Sequence, residues 1–179
     1  MANSWLEKTI VLDTPDNPAL VADPNTSGGI NAKEFHDALY EEAASYYGIC
    51  EVPGSNHHRH ILEFHDATWL DAPDDETPWC ASFMCHCVNI VAKEMGYYPE
   101  VKNDTPIAKK WQNWGVSVNP VHIRKGDIVI LTRKGGGHVA LATGVQGNGY
   151  ISLLGGNQGN MVQISTYDAD RVIAVRRVA

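Results

Sequence analysis

Thr77-Pro78-Trp79-Cys80-Ala81-Ser82-Phe83-Met84 opens a long apolar helical pattern, and the reading of this stretch decides how the rest of the chain is understood. Thr77 can accept a hydrogen bond from a free helix N–H, and Pro78 suits a first helical position, which needs no donor. The spacing predicts a helix over residues 78–95. Cys80 then falls in its first turn, where unpaired N–H groups and the positive end of the helix dipole favour a thiolate. Position alone leaves two readings open: a small cysteine packed under a helix end, or a nucleophile. At 100° per residue Cys80, Met84, Cys87 and Val91 share one stripe, which turns the thiol toward the body of the domain.

Upstream, Phe35, Leu39, Ala43 and Tyr46 recur at helical steps from Asn31 to Gly48, and a short second helix is expected around Ile61, Leu62 and Phe64. Downstream, Thr105-Pro106 caps a fourth short helix ending at Trp114-Gly115. The period then changes to two. Strands are expected over 127–132, 138–145, 150–154, 162–166 and 172–177, separated by glycine-rich joints that suit antiparallel hairpins. Helices first and a meandering sheet afterwards is an α+β layout, with N-terminal helices packed on a C-terminal antiparallel sheet of about five strands.

With 179 residues the chain can bury one hydrophobic core. A net charge of −7, from 14 basic and 21 acidic residues, argues against binding a phosphate backbone, so no nucleic-acid partner is expected. No window has the length and apolarity of a membrane span, and the first residues lack a basic region followed by an apolar core. Synthesis in the cytoplasm is therefore expected, with something else carrying the protein to any extracytoplasmic site. Residues 1–30 hold Pro15, Pro18, Pro24 and Gly28-Gly29, and read as an extended arm that docks on the body at 31–179 or on a partner. Cys50, Cys80, Cys85 and Cys87 read as free thiols, because three of them share one helix.

Gly135-Gly136-Gly137 precedes His138 at the start of a strand, and these glycines remove side chains that would block the imidazole. Taken by itself, such a histidine is a turn residue more often than a catalyst. Pairing with Cys80 changes its meaning. A thiol of ordinary pKa needs about 2.7 kcal/mol to become mostly ionised at neutral pH, whereas a helix dipole supplies about 0.3–1 kcal/mol. A nearby histidinium is the usual source of the remainder. A third group should orient the ring, and Asn157, at the end of the next strand, is either that group or a left-handed turn residue among glycines.

His57-His58-Arg59-His60 reads as a solvated loop before it reads as a metal site, and no cofactor or metal is expected. Trp79 and Trp114 are candidates for the wall of a substrate groove, although indoles at such positions also pack in cores.

The blocks Thr77-Pro78-Trp79-Cys80-Ala81-Ser82-Phe83, Lys125-Gly126-Asp127-Ile128-Val129, Gly137-His138-Val139-Ala140 and Gly155-Gly156-Asn157-Gln158, in this order, resemble a CHAP-like, NlpC-type cysteine peptidase domain. More narrowly they resemble the small branch common in phage and prophage lysins. The resemblance implies a papain-like α+β fold that hydrolyses amide bonds in the peptide part of peptidoglycan. It implies Cys80 as nucleophile, His138 as general base and Asn157 as the polar residue after the next strand. Many CHAP domains carry a glutamate where this chain has Gly155, which leaves the orienting role to Asn157 or to an unplaced group. The alternative function is a non-catalytic structural or wall-binding component of a phage particle, with the arm meeting a virion protein. A zinc hydrolase built on the histidine cluster is a distant third.

Overall fold

Asn31 starts the first helix: its side-chain oxygen accepts the Glu34 N–H at 3.2 Å, a cap on α1 (Ala32–Ser45). The computed structural model describes residues 29–179, so the expected arm lies outside it except for its last two positions. The second helix is α2 (Arg59–Asp66) and the third is α3 (Cys80–Glu94). Every residue from Cys80 to Cys85 is buried, so α3 begins as a core helix and only later becomes amphipathic. It packs between α1 and α2 and against the sheet. The expected fourth helix is a six-residue 3-10 segment, Ala108–Asn113, which brings Trp111 into the core.

The sheet is antiparallel and has six strands. They are β1 (Val116–Ser117), β2 (Ile128–Arg133), β3 (Gly136–Gly147), β4 (Tyr150–Gly155), β5 (Gln163–Asp168) and β6 (Val172–Arg177). The spatial order is β1-β6-β2-β3-β4-β5. The five longer strands are those read from the alternation; β1, two residues long, is too short to leave a pattern. Asn148 and Gly149, at φ 51° and 82°, join β3 to β4 in a two-residue turn. Two successive positive φ angles match the right-handed twist of the strands they connect.

The central strands are buried on both faces. Ile128, Ile130, Val139, Leu141 and Leu154 face the helices. Val129, Leu131, Ala140, Leu153 and Val175 form a second cluster on the opposite side. Side chains pointing into both clusters explain why β2 reads as an unbroken Ile-Val-Ile-Leu.

Two polar clamps hold helices and sheet in register. His36 on α1 donates from Nδ1 to the Gly126 carbonyl at 2.7 Å and accepts the Val178 N–H at Nε2 at 2.9 Å. Gly126 has φ 86°, and a Cβ there would sit 2.3 Å from the His36 carbonyl oxygen. No other residue fits. Beside it Asp127, nearly fully buried, accepts from Arg177 through both oxygens, at 2.8 and 2.7 Å.

Candidate active site

The start of α3 is built differently from a capped helix. The Thr77 backbone N–H and hydroxyl both donate to Asp74 Oδ1, at 2.7 and 2.8 Å, so Thr77 closes the preceding loop. Trp79 occupies the cap position with φ −118° and offers no side-chain acceptor. The backbone N–H groups of Val139 on β3, of Ala81 and of Cys80 itself favour the thiolate, as does the Arg133 cation. Against these donors stands burial, the largest influence, which pushes the Cys80 thiol above its ordinary pKa. Only 6% of Cys80 is exposed.

His138 opens the buried part of β3, opposite Leu131. Gln158 fixes its chemistry. The Gln158 amide nitrogen donates to the Leu153 carbonyl at 3.1 Å and to the Gln163 carbonyl. Its Oε1 must then be the acceptor, and it takes the Tyr167 hydroxyl at 2.7 Å. His138 Nε2, 3.1 Å from the same oxygen, is thereby obliged to carry its proton. The tautomer follows from the amide: Nε2–H is held, and among the described residues Nδ1 has no hydrogen-bond partner. That is the arrangement a general base requires.

Burial, reinforced by the cations of Arg133 and Arg171, pulls the imidazole down to about 4, although Gln158 opposes the shift. Thiol and imidazole are thus both driven toward their neutral forms. These directions run against the histidinium expected from sequence, because burial leaves neither group the water that would stabilise its charged form. The Val139 N–H that favours the Cys80 thiolate belongs to the strand position next to His138. Among the described residues no hydrogen bond joins the two side chains.

Asn157 does not meet the imidazole. It sits at φ 55°, and this left-handed turn sends its side chain back toward α3. With its amide turned so that oxygen meets donors, that oxygen lies 3.2 Å from both the backbone and the indole nitrogen of Trp79. The orienting contact belongs to Gln158, one residue later. A side chain at Gly155 is excluded, because a Cβ would lie 2.7 Å from the Ala140 Cβ. Gln158 was part of the quoted Gly-Gly-Asn-Gln block. What the sequence does not reveal is which of two adjacent amides turns into the sheet.

Neither candidate tryptophan lines the cavity over His138. Trp79 is fully buried against Phe64 and Phe83 and donates from its indole N–H to Glu51 Oε1 at 2.8 Å. It anchors the start of α3 instead. Trp114 stacks near Phe35 and Trp111 and donates to the Val101 carbonyl at 2.9 Å. Gly137 serves packing rather than access, since its missing Cβ makes room for the Lys109 stem at 2.8 Å. In the histidine cluster, His57 pairs with Asp75 and His60 with Glu63, so these rings take separate carboxylates. A cavity of about 260 Å³ opens over the imidazole, lined by Arg133, His138, Asn157, Gln158, Tyr167 and Arg171 among others. Cys80 is not part of its wall.

Residues 72–157 match the CHAP domain family, a span that contains Cys80 and His138 and stops one residue short of Gln158. Among solved structures that match is the crystal structure of the P60 domain from an antigen of M. avium subspecies paratuberculosis. The two share 14% identity with a TM-score of 0.51, over 83% of this chain and 98% of that one. At that identity the likeness is one of fold, and it upholds the papain-like α+β reading. No curated protein matches the chain.

Proposed function

We propose that the protein is a peptidoglycan hydrolase that cleaves an amide bond in the peptide part of the bacterial cell wall, with Cys80 as nucleophile and His138 as base. The observation that carries this reading is the His138 tautomer. Gln158 locks the proton on Nε2 and leaves Nδ1 free beside a helix-start cysteine, within a segment that matches the CHAP domain.

Because burial favours the neutral pair, the thiolate forms during attack. Nδ1 takes the thiol proton as Sγ adds to the carbonyl carbon. The Cys80 backbone N–H, at the helix start, is the natural donor to the developing oxyanion. The imidazolium then gives its Nδ1 proton to the leaving amine, and water, deprotonated by the same nitrogen, releases the acyl group. Throughout, Gln158 keeps Nε2–H bonded and the ring in place. The setting we propose is a phage or prophage lysin, free or carried in a particle, which would reach the wall after release.

One observation favours a second reading, a non-catalytic wall-binding or structural component: Cys80 is buried away from the cavity wall. Dye release from purified peptidoglycan separates the two. Wild-type protein is expected to release dye and the Cys80→Ala variant is not. Equal release by both would remove the cysteine mechanism, and no release by either would favour the non-catalytic role.

A further inference from the structure

The cavity over His138 has a charge that the rest of the molecule does not predict. The chain carries a net charge of −7, yet two arginines line this one mouth. Arg133 ends β2 with an exposed side chain. Arg171 comes from the short 3-10 turn Ala169–Arg171 that leads into β6. Its Nε donates to the Thr132 carbonyl at 3.2 Å, and its guanidinium lies 5.1 Å from the centre of the Tyr167 ring. The sheet therefore holds Arg171 beside the residue that precedes Arg133.

Among the described residues neither arginine has an ion-pair partner. The Lys and Arg ion pairs among the described residues involve Lys33, Arg59, Lys102, Lys125 and Arg177. Asp168 and Asp170 flank Arg171 in sequence without pairing with it. Two unpaired cations converging on one cavity repel each other and the histidinium form of His138, a cost that packing alone does not require. A bound anion removes that cost, and guanidinium groups match a carboxylate better than any other anion a wall peptide offers.

We propose that Arg133 and Arg171 form a carboxylate clamp beside the reactive centre, which selects peptides carrying a free carboxylate close to the scissile amide. The clamp rests on the hydrolase reading for its peptide substrate but makes a separate claim about recognition. It also gives the neighbouring Tyr167 a double use, since this ring supports Arg171 on one side and the Gln158–His138 pair through its hydroxyl.

The test uses two synthetic wall peptides of one sequence, one with its carboxylates free and one with them amidated. Binding is measured by calorimetry to the full chain carrying Cys80→Ala, and cleavage is measured with wild type. The free-carboxylate peptide is expected to bind about tenfold to a hundredfold tighter. Arg133→Gln combined with Arg171→Gln should reduce that difference to about twofold or less. Arg133→Gln alone, at an exposed strand end that leaves the Arg171–Thr132 contact intact, should lose part of it and guards against a folding defect. Amidating the branch and terminal carboxylates one at a time identifies which is held. Equal binding of both peptides, or a preference that survives the double substitution, would overturn the clamp. An intact preference without any turnover by wild type would instead overturn the hydrolase reading and leave the clamp standing.

Discussion

His36 and His138 are both buried imidazoles, and burial holds both below the ordinary histidine pKa. They differ in how many nitrogens are taken. At His36 the Gly126 carbonyl and the Val178 N–H occupy both, so the ring is a fixed strut between α1 and the adjoining ends of β2 and β6. At His138 the Gln158 oxygen occupies one, and the other has no partner among the described residues. A low pKa is therefore common to the structural histidine and the reactive one. Among the described residues, the nitrogen left without a partner distinguishes them.

Substitution at both sites gives the sharpest test. His138→Ala should lower kcat/KM by about 10²–10⁴-fold, the usual contribution of a general base, while changing thermal stability little. His36→Ala should do the opposite, leaving the Gly126 carbonyl and the Val178 N–H buried without partners. It should lower unfolding free energy by about 3 kcal/mol in urea titrations, with activity per folded molecule retained. Comparable activity losses per folded molecule would erase the distinction.

Gln158→Leu probes the held nitrogen alone. Without the Gln158 oxygen, Nε2 keeps only the Tyr167 hydroxyl at 3.5 Å, which can donate or accept, and the ring can exchange tautomers. A fall in kcat/KM of about tenfold to a hundredfold is expected, together with a changed pH profile. Asn157→Gly, which keeps the left-handed turn and removes the amide, should have the smaller effect on rate. If Asn157 proves the more sensitive position, the assignment of the orienting contact to Gln158 fails.

Acid should separate the two roles more gently. His36, His65, His86 and His138 are all held below their ordinary value, chiefly by burial. The unfolded chain therefore takes up protons first as pH falls through about 6.5, and stability present above that pH is progressively lost below it. The melting temperature should drop accordingly. The acid limb of kcat/KM, read on protein that is still folded, should instead lie near the His138 value of about 4. A limb near 6.5 would mean that the base is more hydrated than the structure has it.

Much of this arrangement was legible in the residues. Phe35, Leu39 and Ala43 mark α1 by their spacing, and the glycine joints mark the hairpins, because both signals arise from local periodicity and local φ. Cys80 and His138 stood out as a helix-start cysteine and a strand-start histidine. The pattern did not carry what depends on packing from elsewhere. Trp79 reads equally well as groove wall or core until Phe64, Phe83 and Glu51 surround it. Thr77 looks like a cap until Asp74 claims it. Asn157 and Gln158 are adjacent amides, and a single positive φ decides which one faces the histidine.

The Gln158 amide also limits how this site can change by descent. Its nitrogen is committed to two backbone carbonyls, so a glutamate at 158 would present oxygen to oxygen at both. At 155 the Ala140 Cβ leaves no room for a side chain. Each single substitution toward a carboxylate orienter is thus unfavourable in the present backbone, and a lineage that acquires one must first move the ends of β4 and β5. Amide-oriented and carboxylate-oriented sites on this fold are then separated by a valley that several coordinated changes must cross.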